Sequence, residues 1–190
     1  SHDGVGVRPV EGILSKEEQQ FLVDSALRNG GEVSYKDNGD GTKSPYELNI
    51  NYQDALASPE ESDEIRIKRF LAAETILLSM QGLPGIYIHS LLGSRNDYYG
   101  KSTSGIPRRI NREKLKIEEL EKALEGESSR RIIFEELLRR LKIRARHPAF
   151  APDSPQKVLS LDQRVFALER ESVSREEKIT VSPGMMDIFL

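Results

Sequence analysis

At His147-Pro148 the apolar spacing of the chain changes period, and this change limits the possible folds more than any other feature. Ahead of it, Ile133, Phe134, Leu137, Leu138 and Leu141 recur at three- and four-residue intervals, the stripe of an amphipathic helix over 128–146. Behind it, Val158-Leu159-Ser160-Leu161, Val165-Phe166-Ala167-Leu168 and Lys178-Ile179-Thr180-Val181 are short runs suited to antiparallel strands. A striped helix needs a sheet or another helix beneath it. The chain therefore reads as an α/β part over 1–147 and a small β part over 148–190, with the boundary near Pro148 to Pro155.

Within the α/β part, Ser15 with Glu18 three residues on predicts a capping box, and Phe21, Leu22 and Ala26 give the helix an inward face as far as Arg28. Asn29-Gly30-Gly31 closes that helix. Glu32 to Tyr35 reads as extended, Asp37 to Thr42 as a turn, 63–80 as a helix and 114–124 as another. Leu83 to Ile88 is a compact apolar run that predicts a buried strand, and 90–112 reads as a long loop of the kind that carries function. Helix, strand, long loop, helix and a terminal β element suggest the C-terminal part of a (β/α)8 TIM barrel followed by the start of a small antiparallel β domain. A whole barrel takes about 250 residues. A chain of 190 residues holds part of one, or has another α+β fold. Its start, Ser1-His2-Asp3-Gly4, lacks an initiator Met and reads as cut.

Charge and cysteine content narrow the function classes. With 28 Lys and Arg against 31 Asp and Glu, the formal charge is -3, so no global field draws the chain to nucleic acid or anionic membrane. Seven basic residues on the 128–146 helix read as its solvated face, and no aromatic platform accompanies them. There is no cysteine and there are three scattered histidines, so neither a thiol nucleophile nor a metal centre is expected. No apolar run approaches the roughly 20 residues of a membrane span. A cytoplasmic location is expected.

Several short motifs occur in order: Ser1-His2-Asp3-Gly4-Val5-Gly6, Asn38-Gly39-Asp40-Gly41-Thr42, Ser44 to Asn51, Leu83 to Tyr87, Gly93-Ser94-Arg95-Asn96 and Arg108 to Arg112. In order and approximate spacing they resemble the sucrose phosphorylase branch of the alpha-amylase superfamily of glycoside hydrolases. Asn38 to Thr42 with Pro107 to Arg112 is most similar to the glucosylglycerate phosphorylases of that branch. The likeness covers roughly 1–181 and makes residues 1–147 run from the end of barrel strand seven through helix eight.

The resemblance implies a retaining transfer of α-glucose from a glucoside to inorganic phosphate, giving α-glucose 1-phosphate by way of two carboxylates and a covalent intermediate. It implies no metal or organic cofactor, since phosphate is itself a substrate; the partners are a small glucoside and phosphate, with no nucleic acid and no membrane. The oligomeric state is left open. By similarity Asp3 is the third carboxylate, which stabilises the transition state through the sugar hydroxyls, and His2 donates to the same sugar. Arg108 matches a residue that holds the far side of the glucose. Tyr46 and Glu47 fall in an acceptor-site loop, and Arg109 stands where sucrose phosphorylase has an acidic residue, which favours an acceptor bearing a carboxylate or phosphate. The nucleophile and acid/base belong to strands ahead of Ser1, so the 190-residue polypeptide by itself is expected to be inactive. Two other readings stay open: a hydrolase or transglucosidase of the same superfamily, and a non-catalytic interaction module binding through the 128–146 helix.

Overall fold

A computed structural model describes residues 4–174 and 176–182. The chain is of α/β class with two antiparallel sheets among the described residues, and it divides into two compact units. One unit contains the residues up to Ile67 together with Ile86–Arg131; the other contains Lys68–Gly85 and the residues from Ile132 on.

The first unit opens with β1 (Val5–Gly6), a 3-10 turn at Arg8–Val10, and helix α1 (Lys16–Arg28). The capping box at the start of α1 forms as the sequence predicts: the Ser15 hydroxyl accepts from the Glu18 backbone N–H, and the Glu18 carboxylate accepts from that of Ser15. Two residues of the predicted inward face hold, Ala26 in the core and Leu22 packed against it, and Phe21 does not. Val23 and Ala26 are inside, whereas Phe21 is 64% exposed, with the Arg28 guanidinium 5.9 Å from its ring centre. The chain returns through β2 (Glu32–Asp37) and β3 (Lys43–Asn49), joined by the predicted turn. In that turn Asp37 accepts from the Gly39 N–H, Asp40 accepts from that of Thr42, and Gly39 and Gly41 take φ of 81° and 84°.

The strand order β1-β3-β2 puts β3 in the centre. On one face Leu48 lies opposite Val5 and Val33, and these pack with Val7, Val23, Ala26 and Ile50 into an apolar core. On the other face Glu47 lies opposite Gly6 and Ser34. Gly31 lets the sheet approach α1 closely: a methyl there would stand 2.8 Å from Ile50 Cβ and 3.0 Å from the Ala26 carbonyl.

After β3 come α2 (Tyr52–Ala55) and α3 (Asp63–Ser79). The strand expected at Leu83 to Ile88 is not found. Leu83 is 85% exposed, no strand pairs with this segment among the described residues, and its end enters the short helix α4 (Ile88–Leu91). An apolar run becomes a strand only where a neighbour takes up its N–H and C=O groups. The expected loop over 90–112 is largely helical, with α5 (Tyr98–Ser104) and a 3-10 turn at Pro107–Asn111; α6 (Ile117–Glu125) and α7 (Ser129–Arg146) follow.

The second unit carries β4 (Gln156–Asp162), β5 (Val165–Glu171) and β6 (Lys178–Val181), the antiparallel strands predicted from the period change, in sequential order. Ile133 and Leu137 of α7 are wholly buried, as are Ala167 and Leu168 of β5. Arg170 is buried with them. Its guanidinium donates to the carbonyls of Ser79, Ala151, Ser154 and Pro155 at 2.9–3.3 Å. Arg144 donates to the carbonyls of Leu78 and Gly82, both at 2.6 Å. Together they satisfy carbonyls that the last turn of α3 leaves without intrahelical partners. Both cations stand over the Phe150 ring, at 5.3 and 5.7 Å from its centre.

Candidate active site

Glu47 owes its position to the alternation of β3. Leu48 takes the core side, so Glu47 must point to the opposite face, where its neighbour across β1 is Gly6 and has no side chain to cover it. Glu47 is nonetheless only 7% exposed, because Arg108 closes over its carboxylate: Nε donates to Oε2 at 2.7 Å and Nη2 lies 2.6 Å from the same oxygen. The Arg108 side chain remains 42% exposed. A buried carboxylate held in this way has its hydrogen-bond partner supplied by the arginine, which keeps further donors on its exposed part. The chain is equally tight on the other side of Glu47. A methyl at Gly4 would come within 2.9 Å of Glu47 Oε1 and 2.8 Å of the Leu48 carbonyl.

Arg108 is aimed by the 3-10 turn that carries it. Pro107 starts the turn, Ile110 and Asn111 are buried, the Ile110 carbonyl accepts from the Asp97 N–H at 2.7 Å, and the Asn111 carbonyl accepts from the Tyr87 hydroxyl. Asp97 holds the same turn a second time through Arg109, whose Nη2 is 3.1 Å from Oδ2. Gly100 makes this possible, since a methyl there would lie 2.1 Å from that oxygen. The preceding loop is fixed by buried Asp54, which accepts from Arg95 Nε at 2.5 Å and the Asn96 N–H at 2.6 Å, with Arg66 Nη1 at 3.6 Å. The Gly93 to Asn96 motif thus serves as the foundation of the turn.

Arg108, Glu47, Tyr46 and Gly4 line one cavity of about 620 Å³, together with Arg8 and Glu11. Three of the sequence-predicted site residues, Tyr46, Glu47 and Arg108, converge there. Tyr46 is 39% exposed, and its carbonyl accepts from the Val7 N–H. Arg109 lines a different cavity, beside Asp97, Gly100 and Lys114. His2 and Asp3, the expected sugar donor and transition-state carboxylate, lie outside the described residues; Gly4, which follows them, borders the cavity. Tyr46 and Glu47 sit on a strand, not on the loop their motif suggested. Arg8 was missed by sequence reasoning. The only hint was a lone cation set before Pro9, directly after a Gly/Val run.

The other histidines and several basic residues of α7 have structural partners. His89 is buried, with Nδ1 2.9 Å from the Ser94 hydroxyl and its ring against Tyr87. The His147 Nδ1 accepts from the Ala149 N–H and so caps the turn at Pro148–Phe150. On α7, Arg130 pairs with Glu113, and Arg139 and Arg140 pair with Glu136. These two arginines hold the Glu136 carboxyl below the usual glutamate range. Among the described residues no group of three or more His, Asp or Glu is placed to hold a metal ion, and no helix is long and apolar enough to cross a membrane.

No protein-family model matches the chain. Curated relatives do. The chain is 50% identical over 162 residues to a glucosylglycerate phosphorylase of Allomeiothermus silvanus, an alignment covering 84% of this chain and 29% of that protein. It is 42% identical over 173 residues to a glucosylglycerate phosphorylase of Escherichia coli, covering 90% and 31%. Among solved structures, sucrose 6F-phosphate phosphorylase from Thermoanaerobacter thermosaccharolyticum superposes with a TM-score of 0.79 at 21% identity, over 96% of this chain and 35% of that one. The chain thus spans about three tenths of the length of the curated relatives it matches. Such identity over most of the 190 residues makes it homologous to a stretch of the glucosylglycerate phosphorylases, within the glycoside phosphorylases that include the sucrose phosphorylases.

Proposed function

We propose that this chain forms part of a retaining α-glucosyl phosphorylase that passes glucose from a glucoside, of the glucosylglycerate type before sucrose or sucrose phosphate, to inorganic phosphate. The observation that carries the reading is the Glu47–Arg108 pair in a cavity bordered by Gly4, the residue immediately after His2-Asp3. A guanidinium whose inner edge is fixed on a carboxylate and whose outer edge is open can hold two sugar oxygens at little further entropic cost.

In this reading residues 1–147 are the C-terminal part of a TIM barrel and 148–190 begin a β domain; the TM-score of 0.79 to a sucrose-phosphate phosphorylase structure supports a shared fold. Asp3 accepts hydrogen bonds from two glucose hydroxyls that strengthen as the ring gains positive charge, His2 donates to the same sugar, and Arg108 holds the ring's far side. Tyr46 shapes the wall where the leaving group sits. Arg109 acts through Asp97 by bracing the turn that carries Arg108. One carboxylate serves as nucleophile and another as acid/base, both supplied by strands ahead of residue 1; the enzyme needs no metal or organic cofactor and works in the cytoplasm.

Full-length protein incubated with glucosylglycerate and inorganic phosphate should release α-glucose 1-phosphate with retained anomeric configuration by NMR, while the 190-residue polypeptide alone releases none. Glucose release independent of phosphate would replace phosphorylase with hydrolase. Absence of turnover with glucosylglycerate, sucrose and sucrose phosphate would overturn the proposal.

A further inference from the structure

The cavity holds an arginine without a role. Of its charged groups, Glu47 is paired with Arg108 and Glu11 lies 3.4 Å from Lys36 Nζ. The Arg8 side chain is exposed and makes no ion pair or hydrogen bond among the described residues. Its backbone is firmly placed. The Val7 N–H donates to the Tyr46 carbonyl at 3.0 Å, the Arg8 carbonyl accepts from the Glu11 N–H at 3.0 Å, and Pro9 fixes φ in the turn between them. The side chain therefore starts from a rigid point beside Tyr46 and Arg108.

We infer that Arg8 is a specificity-determining residue that binds an anionic group of a small ligand in this cavity. The group is either the carboxylate or phosphate of the leaving group, or inorganic phosphate. The inference rests on the phosphorylase reading and adds to it the residue that recognises charge. Glu47 cannot select an acidic ligand, because its carboxylate would repel one and its charge is already matched by Arg108. Arg109 lies in another cavity, on Asp97. Arg8 is the cation of the cavity left over for an anion. A guanidinium fork fits a carboxylate or a phosphate through two parallel N–H donors.

The test uses full-length protein with Arg8→Gln and Arg8→Lys, measured on glucosylglycerate, which is acidic, and glucosylglycerol, which is neutral, with phosphate varied. If Arg8 holds the leaving group, Arg8→Gln lowers the acidic-to-neutral ratio of kcat/KM by about ten- to hundredfold, the size of one lost charge-assisted contact, and Arg8→Lys restores part of it. If Arg8 holds inorganic phosphate, KM for phosphate rises by a similar factor with both glucosides. An unchanged ratio together with an unchanged phosphate KM overturns the inference. Calorimetric titration of glycerate, glycerol and inorganic phosphate into both proteins separates this failure from that of the parent reading. Preference for the anions that Arg8→Gln abolishes, in a protein that turns over no glucoside, leaves Arg8 standing and removes the phosphorylase. Turnover without any such preference removes Arg8 alone.

Discussion

Arg108 and Arg170 are the same side chain in opposite circumstances. Arg108 meets one buried carboxylate, keeps 42% of its surface and stands at the mouth of a cavity. Arg170 is wholly buried, and its donors meet four carbonyls and, among the described residues, no carboxylate. Burial, and then the neighbouring Arg144, push the Arg170 guanidinium below the usual arginine range, though an arginine keeps its proton through such a shift. The contrast shows how exposure divides the uses of a guanidinium. One whose donors are all satisfied from within the chain can only hold structure, while one with an open edge can receive a ligand.

Substituting each in turn should separate stability from activity. The largest effect is expected for Arg170→Ala, which takes the guanidinium donors from the buried bonds to the Ser79 and Ser154 carbonyls and one of two cations from the Phe150 ring; it should lower unfolding free energy by about 3–5 kcal/mol, read from denaturant titration. A change below 1 kcal/mol would mean that water replaces the guanidinium, and the contrast would fail. Arg108→Ala in the full-length protein comes next. It should lower kcat/KM by about hundredfold, with a loss in melting temperature well below that of Arg170→Ala, although Glu47 is left without its partner. Asp97→Ala, which releases Arg109 and the Gly100 N–H, should cost about 1–2 kcal/mol and reduce activity only through the displaced turn. An activity loss equal to that of Arg108→Ala would promote Asp97 to a direct role.

The smallest effect belongs to Glu136, where arginines meet a carboxylate at the surface. Its pKa is lowered in the folded state, first by Arg139 and then by Arg140. Its stabilisation is therefore complete above the ordinary glutamate value and fades as pH falls through the lowered one. Glu136→Gln should lower stability slightly near neutral pH and so flatten that acid limb, the two proteins converging once the carboxylate is protonated. Identical acid limbs for the two proteins would assign the pair no energetic weight.

The features legible in the sequence are those made by near neighbours. The Ser15–Glu18 capping box, the Asp37 to Thr42 turn and the α7 stripe each depend on residues a few positions apart, and each forms as read. The β3 strand was hidden by Pro45, which ordinarily argues against an interior strand. Its tolerance has a local cause: β1 pairs only with Leu48 and Glu47, so on that side β3 is an edge at Pro45, and the register with β2 shifts between Ser34 and Tyr35. Arg108 and Arg109 were read together because they are adjacent in sequence. On a 3-10 turn, consecutive side chains diverge, and each finds a different acid. Arg8 could not be singled out at all, because an unpaired cation is recognised only once every other charge around it has been matched.

The alternation along β3 also predicts how the protein tolerates gaining or losing residues over generations. One extra residue in the Asp37 to Thr42 hairpin tip would leave each pairing downstream intact. The same insertion between Tyr46 and Leu48 would exchange the two faces, driving a carboxylate into the apolar core and turning a leucine towards the cavity. Homologues should therefore vary in length at the tip and never in the three residues that follow Pro45.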